Sequence, residues 1–236
     1  MPTHDIIDNR HEKLVDHINQ ILASTEAARF AVGYFFLLGL ESIAGKLVGV
    51  KELRLLIGNT TNRETLEQLA EGYRRLELVA EVAEGHRYPK DAAAQRMVEE
   101  TTERIRSGVQ LMDQTDEGEA LVNILVRMIE ERRLKVRVYT KGRMHAKAYI
   151  FDYNADGRYE KGIAVVGSSN LTLSGVTHNT ELNVVVQGND NHAELGRWFD
   201  DLWEESEDFD ESLMQELKQS WAVAPVRPYD IYTRYG

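Results

Sequence analysis

The chain has 236 residues, 42% of them hydrophobic, a formal net charge of −11 and no cysteine. This length and apolar share suit one large domain with a substantial core. The missing cysteines exclude disulfides, thiol nucleophiles and thiolate zinc sites, and the acidic balance excludes a surface that is everywhere a glove for nucleic acid.

The opening residues, MPTHDIIDNR, are polar and lack a hydrophobic signal region. The longest apolar stretch, residues 27–40, is interrupted by Arg29, Gly33 and Gly39 and is too short to span a bilayer. A soluble, cytoplasmic protein with no membrane partner is expected. Residues 8–58 then read helix, strand, helix, strand. Leu14, Ile18, Ile21 and Leu22 recur at helical spacing, 30–36 is a β-like run, 41–47 is a short helix, and 53–57 is a buried strand. Such alternation predicts strands of one sheet joined by helical crossovers.

Residues 60–133 change character. Leu66, Leu69, Tyr73, Leu76 and Val79 follow a cap at Thr61 or Asn62, Pro89 restarts the chain into a helix over 92–112, and Asp116 or Glu117 opens another over 120–133. No nucleophile stands beside a base in this region. It is expected to be a helical insertion that packs on the sheet, closes over a substrate or mediates dimerisation.

Beyond it, LKVRVYT, HAKAYIF and GIAVVG are rich in β-branched and aromatic residues and predict three strands. The Asp-Gly pair inside YNADGRYEK marks a hairpin, so the strands over 146–152 and 162–167 are expected to be antiparallel neighbours. LNVVV (182–186) is a further strand. Residues 190–221 hold two acidic amphipathic helices whose apolar side carries Leu195, Trp198, Phe199, Leu202 and Trp203, aromatics better suited to a core than to stacking on bases.

The chemistry concentrates in HAKAYIFD (145–152) and GSSN (167–170). His145 and Lys147 are two apart, so in a strand they share a face about 7 Å apart. Asp152, an odd number of residues from His145, would face the other way and support the site from behind. The hairpin returns Ser168 and Asn170 beside His145. A nucleophilic imidazole, a fixed cation and small hydrogen-bonding side chains suit a phosphate. A divalent metal is disfavoured, because the Lys147 ammonium would repel it, and no cofactor is expected.

The pattern H-x-K-x4-D followed by G-S-x-N resembles that of the phospholipase D superfamily. GYFFLLGLESIAGKL (33–47) is also similar to its opening strand–helix segment. His11-Glu12-Lys13 supplies a control: it satisfies H-x-K, but Ile18 stands where Asp is required and no G-S-x-N follows. The resemblance implies an α/β fold with a mixed sheet flanked by helices, spanning 1–224 and carrying the insertion over about 60–133. It implies a phosphohistidine mechanism in which two copies of the motif cooperate. His145 would be nucleophile in one copy and general acid/base in the other, Lys147, Ser168 and Asn170 would hold the phosphoryl oxygens, and Glu181 would orient the imidazole. Only one motif occurs in this chain, so a twofold homodimer with the site on its axis is expected.

Charge bears on the substrate. Residues 127–147 hold eight Lys or Arg against two acids, whereas 190–216 hold eleven acids against one Arg. Arg137, Lys141 and Arg143, close to the motif in sequence, are the candidates for nucleic-acid phosphates, with DNA favoured over RNA. The alternatives are a DNA-docking or dimerisation module without catalysis, and a lipid phosphodiesterase, for which no basic amphipathic helix is visible. The segment 225–236 (PVRPYDIYTRYG) is expected to be a C-terminal tail or linker; it resembles the junction at which such domains precede a helicase module, which makes a helicase in cis or trans a further candidate partner, and the alternative is a simple tethered tail.

Overall fold

A computed structural model describes residues 5–35, 37–58, 92–112, 114–142, 144–154 and 158–223. The chain opens with strand β1 (Ile6–Asp8) and helix α1 (Leu14–Leu22), which buries Leu14, Ile18, Ile21 and Leu22 as their spacing predicts. β2 (Thr25–Val32) follows, then two short helices, α2 (Leu37–Glu41) and α3 (Ala44–Leu47), and β3 (Glu52–Ile57). The strand expected over 30–36 thus lies earlier in the chain. Its pairing with β3 begins at Ala27, and the β-like apolar run after Val32 turns into the loop and α2 instead.

α4 (Ala92–Leu111) and α5 (Asp116–Glu130) come next. Thr115 caps α5, its side chain accepting from the Gly118 N–H at 3.1 Å, and the acids Asp116, Glu117 and Glu119 sit in the first turn where the helix dipole favours them. β4 (Leu134–Val138), β5 (Lys147–Tyr153), β6 (Gly162–Gly167), α6 (Leu173–Thr177) and β7 (Leu182–Val186) lead to α7 (Asn189–Glu204), β8 (Glu207–Asp208) and α8 (Asp210–Gln219). The first expected helix of the 60–133 region, the Asp-Gly turn and the tail lie outside the described residues.

Among the described residues the strands form one eight-stranded mixed sheet in the order β1-β7-β6-β5-β2-β3-β4-β8. β2, β3 and β4 run parallel, while β5, β6 and β7 follow one another antiparallel. Parallel neighbours need a long crossover. α5 lies in the β3–β4 connection and buries Leu121, Val122, Leu125 and Met128 in the main core. Part of the region expected as an insertion is therefore the crossover that the sheet requires.

Alternating residues along each strand divide two cores. Phe30, Val32, Leu55, Val136, Tyr149, Phe151 and Val165 face the larger one, with α1–α6 and α8 supplying its other wall. There Phe30 meets Tyr149 and Phe151 edge to face at 5.1 and 5.5 Å. Ala31, Leu56, Ile150 and Ala164 face the smaller core, closed by Phe199 and Trp203 of α7. Both aromatics are core residues, as their helical spacing indicated. The N-terminal and β8 strands escaped sequence reading because segments of three and two residues are too short to show a period.

Candidate active site at one end of the sheet

The topology collects the motif at one end. The C-terminal ends of β2, β3 and β4, the start of β5, the end of β6 and the start of β7 all open there, because Val32 pairs with Lys147, Ala148 with Val166, and Gly167 with Asn183. His145 lies just before β5 and is exposed, so the strand face expected to hold both His145 and Lys147 holds Lys147 alone. The two residues remain joined: Lys147 Nζ donates to the His145 carbonyl at 2.8 Å.

Ser168 follows β6 at the surface, and its hydroxyl donates to Glu181 Oε2, while Leu182 N–H donates to Ser168 Oγ at 3.1 Å. Asn170 Oδ1 accepts from the Tyr34 N–H at 3.0 Å, which ties the loop after β2 to the loop after β6. With its carbonyl held, the two N–H donors of Asn170 point elsewhere by the planarity of the amide. The Glu181 carboxylate is engaged by Ser168 rather than by His145.

Between Ser168 and Asn170 sits a support that the sequence did not reveal. Ser169 is fully buried; its hydroxyl accepts from Asn183 Nδ2 at 2.9 Å and its carbonyl accepts from the Tyr149 hydroxyl at 2.9 Å. Burial, reinforced by the charge of Glu181, pushes the Tyr149 phenol far up, so it stays a donor at any ordinary pH. Gly167 makes the approach possible, since a Cβ there would stand 2.3 Å from Asn183 Oδ1 and 2.4 Å from the Leu182 carbonyl oxygen.

Asp152 lies on the opposite face from Lys147, toward α7. Its carboxylate meets Arg29 Nη2 at 2.6 Å and His192 Nε2 at 2.9 Å. Burial alone would raise the Asp152 pKa, but the hydrogen bond from His192 and the charge of Arg29 outweigh it and hold the carboxyl below its usual range. Arg29 and His192 could not have been found from spacing, being 123 and 40 positions away. Arg137, expected to meet nucleic-acid phosphates, has its guanidinium donating to the Trp203 carbonyl at 2.7 Å and stacked 5.0 Å from the Trp203 ring, on the α7 face of the sheet. Arg133 likewise donates to the carbonyls of Val48 and Val50 at 3.0 and 2.8 Å, before the start of β4 and so at the far end of the sheet. The basic run therefore splits across both ends. Lys141 is exposed in the loop after β4, at the motif end, and Arg143 lies outside the described residues. Among the described residues no group of three or more His, Asp or Glu side chains is placed to hold a metal ion, and no helix is long and apolar enough to cross a membrane.

Residues 109–203 match the family model described as cardiolipin synthase, PLD-like domain. The match covers 95 of the chain's 236 residues, and that stretch is similar to the domains of the phospholipase D superfamily. The matched residues run from the end of α4 through the motif into α7, so the match includes the crossover helix α5. Among solved structures, the chain is similar to the phospholipase D family member Nuc from Salmonella typhimurium, with 13% identity, a TM-score of 0.44, and 82% of this chain and 88% of that chain covered. It is also similar to NucT from Helicobacter pylori, at 13% identity and a TM-score of 0.42 over 86% of this chain and 97% of that one. A third likeness is to a phosphatidylserine synthase from Haemophilus influenzae, at 12% identity and a TM-score of 0.46, covering 92% of this chain but 40% of that chain. No curated protein sequence matches the chain.

Proposed function

We propose that the chain is a metal-independent nuclease that cleaves DNA through a phosphohistidine at a site completed by a second copy of itself. The observation that carries this reading is the gathering of His145, Lys147, Ser168 and Asn170 at one end of one sheet, with no second full motif in the chain. A phosphodiester repels an entering nucleophile with its own charge, so catalysis requires a nucleophile, an acid for the leaving oxygen and cations on the phosphoryl oxygens.

In the first step a neutral His145 imidazole attacks phosphorus. The bond to the leaving oxygen breaks, and His145 of the second copy, as imidazolium, gives that oxygen its proton. In the second step the same imidazole of the second copy takes a proton from water, the resulting hydroxide attacks phosphorus, and the P–N bond breaks to restore the free nucleophile. One imidazole must be neutral and the other protonated, so activity is expected to be bell-shaped in pH. Lys147 exchanges the His145 carbonyl for a phosphoryl oxygen, the Asn170 amide donates to another, and Ser168 does so when its hydroxyl leaves Glu181. Lys141 contacts the DNA backbone beyond the cleavage point. A helicase module joined to residues 225–236 would supply the strand.

The test is incubation with single-stranded and duplex DNA in excess EDTA, beside His145→Ala. Cleavage that survives chelation and vanishes in the variant supports the reading. Full activity in a species that sedimentation shows to be monomeric refutes the shared site. Binding without cleavage indicates a docking module, and turnover of a phosphatidylcholine analogue alone indicates a lipid substrate.

A further inference from the structure

The end of the sheet remote from the motif carries a cavity of about 520 Å³, bounded by α1, by the end of β5 and by residues 158–160 ahead of β6. Its walls include Gln20, Ser24, Tyr153, Arg158, Tyr159 and Glu160. That volume falls within the range of small-ligand sites. The Arg158 guanidinium lies 4.9 Å from the Tyr153 ring and donates to Ser24 Oγ at 3.4 Å, so a cationic plane and an aromatic ring are already stacked at one wall. Tyr159 is 91% exposed.

The backbone that presents Tyr159 is nevertheless pinned. Asn189 Nδ2 donates to the Tyr159 carbonyl at 3.0 Å, Lys161 N–H donates to Asn189 Oδ1 at 2.8 Å, and Tyr153 N–H donates to the Lys161 carbonyl at 2.8 Å. An exposed ring on a fixed backbone, a stacked guanidinium and a rim of hydrogen-bonding side chains make up the equipment that holds a nucleobase: planar surfaces for its faces, and Gln20, Ser24 and Glu160 for its edge. A carboxylate on the rim selects a base with an amino edge, because it can accept from an exocyclic N–H.

We propose that this cavity is a second site, one that binds a nucleobase. The choice of ligand rests on the nuclease reading above. Six strand steps separate Lys147 from Tyr153, which sets the cavity about 20 Å from the motif along β5. A strand engaged at both places is held away from the point of cleavage, lowering KM for long substrates and leaving small ones unaffected.

Arg158→Ala/Tyr159→Ala tests this in the full chain, with folding verified by circular dichroism. In the His145→Ala background, which prevents cleavage, binding of a fluorescein-labelled single-stranded DNA dodecamer is expected to weaken about tenfold. With His145 intact, hydrolysis of bis(p-nitrophenyl) phosphate is expected to stay unchanged. Guanosine 5′-monophosphate separates the two sources of a base. If it binds wild type and not the double variant, the cavity takes free nucleotides; if only the dodecamer responds, it takes a strand. Unchanged binding of both probes overturns the second site. Absence of bis(p-nitrophenyl) phosphate hydrolysis by wild type overturns the phosphodiesterase reading, independently of the binding result.

Discussion

Asp152→Ala tests whether the aspartate of the motif acts on the fold or on the reaction. The substitution removes the partner of Arg29 and of His192, whose side chains are only 16% and 9% exposed. Arg29 would retain Asp200 at 3.6 Å, and His192 Nε2 would retain the Phe151 carbonyl at 3.2 Å. Leaving a buried charge without its partner costs about 3–5 kcal/mol, and Asp152 itself is 31% exposed, so solvent screening discounts the loss to about 2–3 kcal/mol. With a urea slope of roughly 2 kcal/mol per molar, the unfolding midpoint should fall by about 1 M at a fixed protein concentration. Asp152→Asn, which keeps the shape, should lose less.

The pH dependence has a definite sign. A carboxyl held below its usual range contributes stability that is present above the unfolded carboxylate range and is lost as the pH falls through the lower folded value. Wild type should therefore lose this contribution only in acid, below about pH 4, and the difference between wild type and Asp152→Ala should shrink there. The folded Asn variant should retain most of its phosphodiesterase activity, because Asp152 faces α7 while Lys147 faces the other side. A midpoint for Asp152→Ala within 0.2 M of wild type, or an Asn variant of unchanged stability as inactive as His145→Ala, would refute the reasoning.

Tyr149→Phe strands the buried Ser169 carbonyl and should cost about 1–3 kcal/mol in thermal unfolding, with Asn183→Ala showing a similar loss at the Ser169 hydroxyl. Gly167→Ala should impair both folding and activity, since its methyl group would overlap Asn183 and the Leu182 carbonyl; an enzyme of normal stability and rate would show that this loop yields easily. Arg137→Ala should leave the salt dependence of DNA binding unchanged, because Trp203 already occupies its guanidinium. Lys141→Ala should reduce the slope of log affinity against log salt by about one. If the two variants behave alike, the assignment of Lys141 to the DNA backbone fails.

Much of the architecture was readable from local patterns. The period of Leu14, Ile18, Ile21 and Leu22 marked α1, the β-branched runs marked β4 to β7, and the H-x-K-x4-D and G-S-x-N spacings marked the end of the sheet where they meet. Strand alternation alone set Asp152 against Lys147, because it depends only on counting residues along β5. The order β1-β7-β6-β5-β2-β3-β4-β8 was not readable, nor was the use of α5 as a crossover. Both depend on which segments pair after long excursions of the chain.

The same limit governed the side chains. Sequence by itself determined which groups capable of phosphate chemistry this protein owns, and that it owns one set. Tertiary structure alone decided their engagements: Arg137 on Trp203, Asn170 held by Tyr34 from 136 positions away, Ser168 bonded to Glu181, and Asp152 clasped by Arg29 and His192. The reason is physical. Periodicity fixes the direction of a side chain relative to its own backbone, whereas a hydrogen bond or ion pair needs a partner that folding delivers from elsewhere in the chain.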